Sequence, residues 1–99
     1  MNVRIEEIDG NVVAILEGNL DTAAAAETEK AMSPLNDVKG KDIIIDCTDL
    51  AYISSAGLRV LLSAHKIMSA KGGMKVTHVN EIVSEVFEVT GFADILTIE

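Results

Sequence analysis

Two adjacent serines, Ser54 and Ser55, are the side chains best placed for chemistry in this chain. They follow a buried-strand pattern and precede Ala56-Gly57-Leu58, where a helical pattern begins. The first turn of a helix has unpaired N–H groups and carries about half a positive charge. Such a position suits either a serine that caps the helix or a phosphate attached to that serine. From the residues alone both interpretations stay open.

Catalysis by one of these serines is an alternative use of the same position. The residue types of a hydrolase triad are all present: Ser55, with His65 or His78, and with Asp21, Asp46 or Asp49. The Gly-x-Ser-x-Gly pattern of a nucleophile elbow is absent, however. Helical spacing groups His65 with leucines, and His78 alternates with apolar residues near a strand end. Both histidines therefore fit packed or surface positions better than catalytic ones.

Metal and nucleotide sites have little support in the sequence. Two histidines and one cysteine without close spacing do not make a zinc site. Neither the Gly-x-Gly-x-x-Gly nor the P-loop pattern occurs, and the glycines are scattered at turns. We therefore expect no metal and no cofactor.

Composition restricts the partners and the compartment. Aromatic residues make up only 3% of the chain and the net charge is −8, so direct binding to nucleic acid is not expected. Cys47 is the only cysteine, which excludes an intrachain disulfide and favours a reducing cytoplasm. No apolar run approaches the roughly 18 residues of a membrane helix, so membrane insertion is not expected.

With 99 residues the chain predicts one α/β domain, residues 1–99, with a mixed sheet. Asp9-Gly10 between two apolar runs predicts an N-terminal hairpin. A break at residues 18–21 follows it, and then a helix over Thr22–Met32 that Asp21 caps. Next come a central strand at 42–47 covered on both faces, a polar turn, and a helix from Ala56 to the stop Gly72-Gly73. The last predicted elements are a strand at 74–79, a helix capped by Asn80 and ended by Gly91, and an extended piece at 95–98.

The apolar positions of the predicted helices give their packing faces. The expected faces are Ala24, Ala31 and Leu35 in the first helix, Leu58, Leu61, Leu62, His65 and Met68 in the second, and Ile82, Val83, Val86 and Phe87 in the third. All three helices are then expected to pack against the sheet.

Gly57 in the first turn of the second helix is the strongest sign that this position is more than a cap. Glycine costs about 0.5–1 kcal/mol relative to alanine in a helix unless something must approach the backbone closely. Since one serine suffices as a cap, the second serine and the glycine predict a site built for contact.

The segment DCTDLAYISSAGLRVL, residues 46–61, resembles the signature of STAS domains, specifically those of bacterial anti-anti-sigma factors. Gly18-Asn19-Leu20-Asp21 is similar to a second landmark of that family. The resemblance covers essentially the whole chain, and it implies the STAS fold, a mixed central sheet with an N-terminal hairpin and helices packed against it.

The resemblance implies a regulator that works by partner switching. Such a protein binds an anti-sigma factor serine kinase and thereby releases a sigma factor. The kinase inactivates it by phosphorylating a serine at this helix start, and a PP2C-type phosphatase restores it. Many members read Asp-Ser-Ser-Gly-Leu or Asp-Ser-Thr-Gly-Leu here, with the first hydroxyl as acceptor. Aligned on Gly57-Leu58, that hydroxyl is Ser55, while Ser54 replaces the aspartate and Ala56 the second hydroxyl.

Ser55 is accordingly the expected phosphorylation site, with Ser54 as the reserve. The expected partner-binding residues are Asp21, Ser54, Ser55, Gly57, Leu58 and Arg59. Two other functions stay open: a STAS-type accessory subunit of a lipid or ion transport complex without phosphorylation, and a small hydrolase that uses Ser55.

Overall fold

Strands alternate with helices after an N-terminal hairpin, in the predicted order. The computed structural model describes residues 1–37, 43–69 and 74–99. Its elements are β1 (Asn2–Ile8), β2 (Asn11–Leu20), α1 (Thr22–Met32), a 3₁₀ helix (Ser33–Asp37), β3 (Ile43–Ile53), α2 (Ser55–Ser69), β4 (Met74–Thr77), α3 (Glu81–Thr90), a second 3₁₀ helix (Phe92–Asp94) and β5 (Thr97–Ile98). Residue 42 and the predicted stop Gly72-Gly73 lie outside the described residues.

The five strands form one mixed sheet in the order β1-β2-β3-β4-β5. β1 and β2 are antiparallel, and the other neighbouring pairs are parallel. The hairpin turns at Asp9 and Gly10, which both have positive φ, as a tight primed turn requires. β3 is the middle strand. The predicted fold class, antiparallel edge and central strand are confirmed.

The hydrophobic core lies on one face of this sheet, whereas the sequence predicted cover on both faces of β3. Burial alternates along β3: Ile43, Ile45 and Cys47 are fully buried, and Ile44 and Asp46 are half-buried. Strands that follow one another across the sheet in chain order place all right-handed crossover helices on the same side. Burial raises the pKa of the Cys47 thiol to about 12, which agrees with a packed and unreactive cysteine.

β2 and β3 are both longer than predicted. β2 continues through Gly18, whose φ of +107° lets the strand shift register rather than break. β3 continues to Ile53, where the sequence predicted a polar turn after Cys47. Pairing skips one β3 residue between Asp46 and Asp49, and Ala51 is unpaired between Leu50 and Tyr52. These β-bulges let exposed polar residues occur within a strand.

The helices pack through slightly different faces from those predicted. In α1 the buried side chains are Ala25, Thr28 and Met32. Of the predicted positions, Leu35 is buried, Ala24 is partly buried against the core, and Ala31 is exposed. In α2 Leu58, Leu61 and Met68 are buried as predicted, and Leu62 and His65 are half-buried.

The third helix and the last strands differ at single positions. Ile82 of α3 is 61% exposed, while Val83 and Phe87 are buried. Asn80 and Gly91 cap α3 as predicted. The strand predicted at 74–79 ends at Thr77 because His78 has a φ of 59°, and the predicted extended piece at 95–98 is a strand only at Thr97–Ile98. In the described part of the chain, no helix has the length and hydrophobicity to cross a membrane.

Candidate functional site

The predicted site lies at the carboxyl ends of β2 and β3. These neighbouring parallel strands lead directly into α1 and α2. Asp21 caps α1 through a 2.8 Å hydrogen bond from the Ala24 N–H, which confirms its predicted role as a cap. The Ser54 N–H donates to the Leu20 carbonyl at 2.9 Å, so the start of α2 is bound to the end of β2. The two helix starts are therefore side by side.

The two serines have different environments. Ser54 is half-buried and caps α2: its Oγ accepts from the Gly57 N–H at 3.1 Å, and its carbonyl accepts from the Leu58 N–H at 2.9 Å. Ser55 is the first residue of α2 and is exposed. Helix geometry leaves the N–H groups of Ser55 and Ala56 without partners inside the helix. The capping role and the accessible hydroxyl thus belong to different serines.

Gly57 is buried, and the group that approaches its backbone belongs to the same chain. A Cβ at this position would lie 2.6 Å from Leu20 Cγ, 2.7 Å from the Leu20 carbonyl oxygen and 3.0 Å from Ile53 Cγ1. The Leu20 oxygen is backbone and cannot rotate away. The glycine therefore allows α2 to contact the ends of β2 and β3.

The six predicted partner-binding residues divide by accessibility. Asp21, Ser55 and Arg59 are exposed, and Arg59 lies one helical turn beyond Ser55 on the same face of α2. Ser54 is half-buried. Leu58 is only 2% exposed and belongs to the core, and Gly57 is buried beneath Leu20. Partner binding by any of the six stays a prediction, but only the accessible members offer side chains to a partner.

Two residues beside the site were not selected from the sequence. Tyr52, two residues before Ser54, is 43% exposed where β3 ends. Asn80, predicted only as a cap of α3, also donates from Nδ2 to the carbonyls of Leu50, at 3.0 Å, and Ala51, at 3.4 Å. These bonds join residues about thirty positions apart, and the sequence pattern around Asn80 gives no sign of them.

The candidate triad is not assembled. Ser55 and His65 are ten residues apart on α2, which corresponds to about 15 Å along a helix. Within the described residues, His65 Nδ1 is buried without a hydrogen-bond partner. Asp46 and His78 lie together near the opposite end of β3, roughly 20 Å from the serines by strand length. A serine nucleophile needs its base within hydrogen-bonding distance, which neither histidine satisfies.

The His78–Asp46 pair is a separate surface feature. His78 Nδ1 lies 3.6 Å from Asp46 Oδ1, and its side chain is 70% exposed. Asp46 accepts bonds from the Thr48 N–H at 3.0 Å and the Thr48 hydroxyl at 2.6 Å. Burial raises the pKa of Asp46, but the Thr48 hydrogen bonds and His78 outweigh it, so this pKa lies below its ordinary value. Among residues 1–37, 43–69 and 74–99, no three potential metal ligands come together.

Comparison with known proteins places these features in a family. The model of the STAS domain matches residues 2–99. The chain belongs to the STAS domain family. BtrV of Bordetella bronchiseptica, which is named an anti-sigma factor antagonist, is 34% identical over 99 residues, covering 99% of this chain and 85% of BtrV.

Two further proteins extend the comparison. The anti-sigma-B factor antagonist of Bacillus subtilis is 27% identical over 99 residues, covering 99% of this chain and 90% of that protein. The crystal structure of an anti-sigma factor antagonist from Mycobacterium paratuberculosis superposes with a TM-score of 0.89 at 20% identity, covering 98% of this chain and 83% of the other. This structural match supports the fold described above.

The division between the serines predicts different effects on folding. Ser54→Ala removes the cap of α2 and should lower the free energy of unfolding by about 1 kcal/mol, within the 0.5–2 kcal/mol range of such losses. Ser55→Ala, the matched control, should change it by less than about 0.5 kcal/mol. Urea denaturation of both variants measures the difference, and equal losses would contradict the assignment of Ser54 as the cap.

The close contact at Gly57 predicts that replacing this glycine by alanine destabilises the protein, which is opposite to the usual effect in a helix. Glycine to alanine inside a helix ordinarily stabilises by about 1 kcal/mol. Gly57→Ala should instead destabilise by about 1–3 kcal/mol, because the added Cβ overlaps the Leu20 carbonyl. Thermal and urea unfolding provide the measurement. A variant about 1 kcal/mol more stable than the wild type, the ordinary gain, would show that α2 can shift away at no cost.

Proposed function

We propose that this STAS domain is an anti-sigma factor antagonist whose binding is switched off by phosphorylation of Ser55. The observation that carries the proposal is an exposed hydroxyl on the first residue of α2, beside a separate serine that already caps the helix. Family membership and the names of BtrV and the Bacillus subtilis relative support the anti-sigma factor as the partner class. The protein then acts by binding and carries out no catalysis.

A phosphate on Ser55 would be compatible with the fold. It adds about −1.5 to −2 charges, which the positive start of α2 stabilises. The cap stays intact because Gly57 bonds to Ser54 rather than to Ser55. The exposed position leaves room for the phosphate outside the core. Phosphorylation therefore need not disturb the packing of α2 on the sheet.

The same phosphate would have a large effect on a complex. At the centre of a contact surface it must lose its hydration and face the charges of the partner. A binding loss of only about 1.4 kcal/mol already weakens a complex tenfold. Local repulsion is enough to switch the partner off.

The partners follow from this mechanism. An anti-sigma factor serine kinase would both bind the surface around Ser55 and phosphorylate it, and a PP2C-type phosphatase would remove the phosphate. Because sigma factors act on cytoplasmic RNA polymerase, the proposed location is the cytoplasm. Gly57 and Leu58 would support binding indirectly, by fixing the position of α2.

Ser55 is expected to be the phosphate acceptor. Ser55→Ala should abolish phosphate incorporation by the cognate kinase while leaving affinity for that kinase within about threefold of wild type. Ser54→Ala, the control, should still be phosphorylated once its lower stability is taken into account. Radiolabelling followed by peptide mapping makes the measurement. Phosphate found on Ser54, Thr48 or Thr22 would contradict the assignment.

Charges flanking Ser55 are expected to contribute to binding rather than to folding. Asp21→Asn keeps an oxygen that can cap α1 and removes only the charge, and Arg59→Glu reverses an exposed charge one turn from Ser55. Each should weaken kinase binding about tenfold, or ~1.4 kcal/mol, with melting temperatures nearly unchanged.

Lys30→Glu is the matched control for Arg59→Glu. It makes the same change in net charge on an exposed residue in the last turn of α1, the end away from the serines. Its affinity should stay near that of wild type, as measured by titration calorimetry. Equal losses for Arg59→Glu and Lys30→Glu would indicate a general charge effect instead of a local contact.

A further inference from the structure

The segment of β3 that leads to the serines is supported differently on its two sides. On one side it pairs with β2 as far as Leu20 and Ile53, although Ala51 is skipped. On the other side, pairing with β4 ends where Asp46 meets Thr77. The chain turns away at His78, whose φ is 59°. The last seven residues of β3 therefore extend beyond the end of β4.

Asn80 occupies the place that a longer β4 would take. Its Nδ2 donates to the carbonyl of Leu50 at 3.0 Å and lies 3.4 Å from the carbonyl of Ala51. Its Oδ1 accepts from the Val83 N–H at 2.8 Å and caps α3. One side chain thus holds the start of α3 against β3, at the unpaired residue Ala51, four positions before Ser55.

Only a side-chain amide suits both tasks. The cap requires an acceptor, and the β3 carbonyls require a donor. Aspartate is as good a cap as asparagine but has no donor when ionised, and it would place a negative charge against two carbonyl oxygens. Serine also caps well but is one atom shorter. Aspartate or serine could replace Asn80 as a cap, but neither could also make its hydrogen bonds to β3.

We propose that Asn80 is a positioning residue for the serine site: its amide fixes the end of β3, and through it the start of α2 that presents Ser55. The local effect on β3 is independent of function, while the consequence for partner binding rests on the proposed function. The Ser54 N–H is the amide that best reports the local effect on β3. It bonds to the Leu20 carbonyl and holds β3 to β2 at the helix start.

Amide hydrogen exchange on the protein alone tests the positioning role. In Asn80→Asp the Ser54 amide should exchange at least tenfold faster relative to the Ile45 amide, which lies in the sheet centre and reports global opening. Asn80→Ser should show the same direction, which separates loss of the donor from addition of a charge. An unchanged Ser54-to-Ile45 ratio in both variants would overturn the proposal.

Gly91→Ala is the control for a general loosening of α3. Gly91 ends α3 with a φ of +81°. Among the described residues other than its chain neighbours, none has an atom within 4 Å of an added Cβ, so alanine strains only the far end of the helix. It should lower the melting temperature without changing the ratio of Ser54 to Ile45 exchange. A ratio that rises as much as in Asn80→Asp would show that any weakening of α3 releases β3, and would overturn a specific role for Asn80.

Binding to the cognate anti-sigma factor kinase tests the functional consequence. Asn80→Asp should bind about tenfold more weakly than wild type, and Gly91→Ala within about threefold. If the wild-type protein does not bind the kinase, the proposed function fails, but the exchange ratios still decide the role of Asn80. Faster Ser54 exchange with unchanged kinase affinity would confirm the contact and overturn its importance for the site.

Discussion

The close contact between the start of α2 and the end of β2 is the constraint on which the site depends. Gly57 lies against the Leu20 carbonyl with no room for a Cβ, and the same carbonyl accepts the Ser54 N–H. Leu20 in turn immediately precedes the cap of α1. One backbone contact therefore sets the relative position of both helix starts, and with it the surface formed by Asp21, Ser55 and Arg59.

Because of this contact, the two serines have different roles. Ser54 is held by bonds at its N–H, its Oγ and its carbonyl, so it is committed to the fold. Ser55 is exposed on the next residue and shares the same positive helix start. A modification of Ser55 can therefore change the charge of the surface while the cap beneath it stays in place. In the proposed switch, this separation would let the domain be regulated without unfolding.

Local chemistry was predictable from the sequence, and long-range pairing was not. The caps at Asp21, Asn80 and Gly91 depend on one residue and the turn beside it, and all three were predicted correctly. The length of β3 depends on bulges that only pairing with β2 accommodates, and its single buried face depends on the strand order. The glycine at position 57 was recognised as a close approach, but Leu20 could not be identified. Which residues bind a partner stays a prediction.

The most direct test of the switch compares the domain phosphorylated on Ser55 with the unphosphorylated domain. Their affinities for the cognate anti-sigma factor kinase and their amide NMR spectra are measured on matched samples. The phosphorylated form should bind at least about tenfold more weakly, with shifts confined to residues near Ser55, Asp21 and Arg59. Unchanged affinity would contradict the switch and favour a transporter-subunit role, and shifts throughout the sheet would contradict a purely local mechanism.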